Sequence, residues 1–147
     1  MSRVIRKSQN VSILLYHFVC PAKYRRAVID KKVDQVLKEV CLDIADRYQI
    51  EFLEIGTDED HVHFLVQSVP TYSPTKIITT IKSLTAREVF VRVPSVKKQL
   101  WGGEFWTDDY YVGTVGPHAT EEVIKEYVKQ QGQEEYKQLY VQQLKLF

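Results

Sequence analysis

The chain is poor in the features that would place it in several large protein classes. It has only two cysteines, Cys20 and Cys41, in 147 residues. Their separation matches no metal-ligand spacing, and with no secretory signal they read as reduced thiols, which points to the cytoplasm. Long hydrophobic runs are missing too. The longest candidate, VSILLYHFVC (11–20), is too short to cross a bilayer. It is followed by the basic PAKYRR rather than by a small-residue cleavage site, so it reads as an internal strand and no membrane role is expected. No repeat, low-complexity tract or Pro/Gly-rich linker divides the sequence, which reads as one domain over 1–147.

What charge there is, is unevenly placed. The net charge is +1, yet residues 1–32 hold eight basic residues (Arg3, Arg6, Lys7, Lys23, Arg25, Arg26, Lys31, Lys32) against Asp30 alone, giving +7. From Leu100 onward four lysines face eight acids, giving −4. A basic pole suits a polyanionic partner; a merely solvated basic face is the plain alternative.

Periodicity orders the elements. Residues 11–20 are apolar on both faces, as in a central strand. Asp30 is placed to cap a helix reaching about Tyr48, with the stripe Val33, Val36, Leu37, Val40, Ile44 and Ala45. IEFLEIG (50–56) and HVHFLVQS (61–68) read as strands joined by the acidic turn TDED. Ser73-Pro74 opens a second helix whose apolar positions are Ile77, Ile78, Ile81, Leu84 and Val89. The loop LWGGEFW leads to a strand within DYYVGTVG (109–116). Thr120 would cap a third helix, ended by Gly132 and followed by a stripe of Tyr136, Leu139, Tyr140 and Leu144. The order β-α-β-β-α-β predicts an α+β, ferredoxin-like (RRM-like) split βαβ sandwich. Its antiparallel sheet would carry two helices on one face, leaving the other face free, with a further C-terminal helix.

Within DEDHVHFLVQ (58–67), His61 and His63 are two residues apart, so on a strand they share a face, while Val62, Phe64 and Val66 point the other way. Adjacent imidazoles on one face suit cis ligation of a metal ion. Two polar residues on a solvated face is the competing reading, and the Asp-His continuation of an H-x-H-x-D-H zinc hydrolase is missing. In the third helix Tyr127 and Gln131 lie one turn apart on one face. A tyrosine beside a metal-gripped phosphate can act as a covalent nucleophile. The same residue also fits an apolar stripe with Val123, Ile124 and Val128, the packing alternative.

Five stretches occur in the order and with gaps similar to those of one known family: YHFVCPAKYRR (16–26), DHVHFLVQ (60–67), IKSLTAREVF (81–90), LWGGEFW with YYVGTVG (100–116), and YVKQQ (127–131). Over almost its full length the chain resembles the small single-tyrosine HUH transposases (transposase A) of insertion sequences that move as single-stranded DNA. REP-associated tyrosine transposases are a related branch. The resemblance implies that His61 and His63 bind Mg²⁺ or Mn²⁺, with Gln131 (or the adjacent Gln130) as third ligand. It further implies that Tyr127 attacks single-stranded DNA to form a 5′-phosphotyrosine link. Cleavage and rejoining would be one reaction run in two directions at insertion-sequence ends marked by hairpins. A homodimer with active sites completed in trans by exchange of the segment from about 120 is also implied. Candidate DNA contacts are Arg3, Arg6, Lys7, Lys23, Tyr24, Arg25, Arg26, Lys82 and Arg87, with Tyr24 or a tryptophan of 101–106 stacking on an unpaired base. The competing functions are a non-catalytic single-strand-binding module and an HUH replication or transfer nickase. The first leaves the histidine pair unexplained, and the second usually carries further domains.

Overall fold

The structure, a computed structural model, describes residues 5–7, 10–100 and 102–115, with side chains from Ser12 onward. Expectations that fall on Arg3, Trp101, Thr120, Tyr127, Gln130, Gln131, Gly132 and the tail stripe lie outside the described residues.

The amino-terminal apolar run forms two strands rather than one. β1 (Ile5–Lys7) pairs with β2 (Asn10–Ser12) as a small antiparallel ribbon, and β3 (Leu14–Pro21) then enters the main sheet. α1 (Lys31–Arg47) begins where expected, because the Asp30 carboxylate accepts from the Val33 N–H at 2.9 Å. β4 (Glu51–Thr57) and β5 (His61–Ser68) form the expected hairpin. α2 (Pro74–Arg92) starts under a Ser73 side-chain cap with proline in its first turn. Pro94 has no N–H to continue α2, and a short α3 (Pro94–Gln99), not anticipated from the sequence, follows it. β6 (Tyr111–Val115) closes the described part of the sheet.

The sheet order is β4-β5-β3-β6, with every neighbouring pair antiparallel. The strand after α1 is therefore separated from the strand before it by β5, which is the expected split βαβ arrangement. One face packs under the helices. Phe18, Cys20, Val62, Phe64 and Val66 meet Val33, Leu37, Val40 and Ile44 of α1 and Ile77, Ile78, Ile81 and Val89 of α2. Full burial of each large apolar side chain contributes about 1.5–3 kcal/mol. No helix among the described residues is long and apolar enough to cross a membrane.

The other face corrects an expectation. It is not left open to water, for His17, His61, His63, Leu65 and Gln67 are all buried. Its composition accounts for this in part. Leu15 and Leu65 form a second apolar cluster there with Ile13, Leu53 and Val115, and a purely solvated face has no use for such a cluster.

Candidate active site

β5 is paired on both sides, so its residues are held in register by two ladders. Cross-strand partners put His61 opposite Pro21 and His63 opposite Val19 on β3. The two imidazoles lie side by side as the period of two requires, with ring centroids 5.0 Å apart and planes at 69°.

Each ring is held through its Nδ1. The Asp60 carboxylate sits 2.7 Å from Nδ1 of His61. A carboxylate only accepts, so this nitrogen carries the proton, and Nε2 is the ring nitrogen left to face a metal. Nδ1 of His63 lies 3.4 Å from Nε2 of His17, a long contact between buried rings whose planes differ by 7°. His17 was not among the residues singled out in the sequence. Burial pushes its pKa down to about 4, so it is neutral at physiological pH. The His63 pKa is pushed down to about 2 by burial, then by the charge His61 and His17 would carry. Neutral imidazole is the form that ligates metal.

Two imidazoles with carboxylate and imidazole partners behind them can ligate a divalent cation. Among the described residues no group of three or more His, Cys, Asp or Glu forms a complete metal site. Gln131, the expected third ligand, lies outside them, as does Tyr127.

The basic segment after β3 forms a tight turn, Lys23–Arg25. Tyr24 and Arg25 both take left-handed backbone angles, with φ of 59° and 50°. For residues with a Cβ this costs on the order of 1 kcal/mol each. The turn is held by Lys23 N–H to Phe105 O at 2.8 Å, Arg25 N–H to Ala22 O at 2.9 Å and Thr107 N–H to Pro21 O at 3.1 Å. The Trp/Gly loop thus runs alongside it through Gly102 and Gly103, both at positive φ, with Gly102 close to the Tyr24 hydroxyl. Tyr24 stands 62% exposed in this strained turn, and Arg25 and Arg26 are exposed beside it.

The other DNA-contact candidates divide by what they already touch. Lys23 pairs with Glu104 at 2.6 Å; this hydrogen bond holds the lysine pKa up and the glutamate's down. Lys82 donates to the carbonyls of Thr107 and Asp108 at 2.6 and 3.4 Å and so braces the loop. Arg87 projects into solvent near Glu88. Arg6 and Lys7 lie on β1. Trp106 is not available for stacking on a base: it is buried against Phe105 and donates to Thr85.

With this geometry in place, comparison with known proteins is informative. The family model described as "Transposase IS200 like" matches residues 10–131. The ISDra2 transposase TnpA of Deinococcus radiodurans is 33% identical over 122 residues, covering 83% of this chain and 86% of that protein. The transposase for insertion sequence element IS200 of Salmonella typhimurium is 27% identical over 82% of this chain and 78% of its own length. Among solved structures, a Deinococcus radiodurans R1 transposase superposes with a TM-score of 0.70 at 31% identity, covering 86% of this chain and 97% of that one. A REP-associated tyrosine transposase bound to a REP hairpin gives 0.55 at 12% identity over 87% and 68%, a likeness of fold. The chain belongs to the IS200-like transposase family.

Proposed function

We propose that this transposase cleaves and rejoins single-stranded DNA at hairpin-bearing ends of an insertion sequence through a tyrosine intermediate, acting in the cytoplasm. The observation that supports it best is the histidine pair on β5, 5.0 Å apart and each held through Nδ1, in a chain of this family. Tyr127 Oη would give up its proton, attack the phosphorus and form a phosphotyrosine bond to the 5′ side. The bond to the 3′ oxygen breaks as that oxygen takes up a proton and leaves as a free hydroxyl. The new link retains a phosphoester, so a 3′-hydroxyl can reverse the step and join new ends without ATP. A divalent ion, Mg²⁺ or Mn²⁺, held by His61, His63 and Gln131 would polarise the phosphate and stabilise charge on its oxygens. Arg25, Arg26, Arg87 and the basic residues near the amino terminus would contact phosphates, and Tyr24 would stack on an unpaired base.

Assembly as a homodimer is part of this reading, with the segment from about 120 exchanged so that Tyr127 serves the partner's histidines. Among the described residues β6 pairs with β3 alone, and in this reading a second copy would extend the sheet beyond β6. The RRM-like binding module, the competing reading, lacks a reason for paired imidazoles.

The test is a covalent adduct assay with Mg²⁺ or Mn²⁺ and hairpin-bearing single strands of varied flanks. An adduct that survives denaturation is expected, and Tyr127→Phe should abolish it. Persistence of the adduct in that variant would remove Tyr127 as nucleophile.

A further inference from the structure

Each of the two paired imidazoles needs the correct tautomer before Nε2 can present a lone pair. Asp60 supplies that for His61. For His63 the facing group is His17, which β3 places on the same side of the sheet, diagonal to His63 across the ladder in which Val19 opposes His63 and His17 opposes Leu65.

The ring geometry is specific. The planes are parallel to within 7° and the centroids are 5.6 Å apart, while the facing nitrogens are 3.4 Å apart. That centroid separation is nearly the nitrogen–nitrogen distance plus the two ring radii. The rings therefore meet end on in a common plane, not face to face. This is the direction along which an N–H points at a lone pair. His17 is itself steadied by Tyr111, whose ring packs edge-on at 6.1 Å and 71°. Gly113, opposite His17 on β6, makes room for the Tyr111 ring, since a Cβ there would come within 2.8 Å of the Tyr111 hydroxyl.

We propose that His17 is a positioning residue of the site: its Nε2 accepts the Nδ1–H of His63 and so commits the Nε2 lone pair of His63 to a divalent cation. This rests on reading His61 and His63 as metal ligands. His17 would not touch the ion or the DNA. It acts through His63, as Asp60 acts through His61. Removing such an outer partner typically weakens metal binding about 10- to 100-fold.

Nitrogen-15 NMR of the histidine rings in the full-length, metal-free protein tests this without any turnover. His63 is expected as the Nδ1–H tautomer. Mn²⁺ titration is the second readout. His17→Phe keeps a flat ring but offers no acceptor, and should shift His63 toward Nε2–H and raise the Mn²⁺ Kd about 10- to 100-fold. His17→Gln, whose carbonyl oxygen can accept, should recover part of both. An Nε2–H His63 in the unmodified protein would overturn the proposal even if the variants failed to fold. So would an unchanged Kd in a folded His17→Phe whose His63→Ala counterpart has lost Mn²⁺. Failure of the unmodified protein to bind Mn²⁺, with His63 as Nδ1–H, would instead overturn the metal reading.

Discussion

Trp106 donates its indole N–H to the Thr85 hydroxyl at 3.0 Å, and that hydroxyl donates in turn to the Ile81 carbonyl at 2.6 Å. Both side chains are buried, so a loop that sequence would leave at the surface is pinned to the middle of α2. Thr85→Val keeps the shape and removes the acceptor. It should destabilise the protein by about 1–3 kcal/mol, the cost of stranding a buried donor. Denaturant unfolding measures this, and a midpoint equal to that of the unmodified protein would show that the indole finds another partner.

A second prediction separates binding from folding at Tyr24. Its φ of 59° suits glycine better than tyrosine. Tyr24→Gly should therefore leave thermal stability unchanged or raised while weakening binding of hairpin-bearing single-stranded DNA. Loss of one stacked base corresponds to about 1–3 kcal/mol, and Tyr24→Trp should retain most of the affinity. Equal affinity for all three proteins would show that the exposed ring contacts no base.

Mixing subunits tests the exchange of the C-terminal segment. A Tyr127→Phe chain and a His61→Ala/His63→Ala chain should each be inactive alone. Co-refolded, they should regain one competent site per heterodimer if the tyrosine serves its partner. No recovered adduct would show that each chain uses its own histidines.

Acid should destabilise the metal-free protein earlier than its carboxylates alone require. His17 and His63 have folded-state pKa values of about 4 and about 2, below the ordinary 6.5. Between the folded and unfolded values the unfolded chain binds more protons, so stability is full above about pH 6.5 and declines as pH falls below it. For His17 the difference corresponds to roughly 3 kcal/mol by pH 4. His17→Gln should flatten the decline in a pH series of unfolding midpoints. An unchanged slope would show that this ring does not contribute.

Much of this was legible in the sequence because it depends on local period. The caps at Asp30 and Ser73, the stripes of α1 and α2 and the shared face of His61 and His63 all follow from side-chain direction along one element. His17 was not seen because its partner is 46 residues away. Only the pairing of β3 with β5 brings them together, although the alternation of Tyr16, Phe18 and Cys20 with His17 already put that ring on the His63 face. Burial of that face was misjudged for a related reason. Leu15, Leu53 and Leu65 sit on three different strands and become a cluster only once the strand order is known. The left-handed pair Tyr24 and Arg25 carries no glycine signal, so its strain was invisible in the sequence.

Asp60 has two attachments. Its carboxylate grips His61, while its backbone carbonyl accepts the Ala22 N–H at 2.7 Å, one residue before the basic turn. One residue thus acts as a spacer between the place where a DNA backbone would be gripped and the place where it would be cut. Transplanting KYRR from a relative would change what is gripped while keeping the old ruler. A working chimera should therefore need the β4–β5 turn to travel with it.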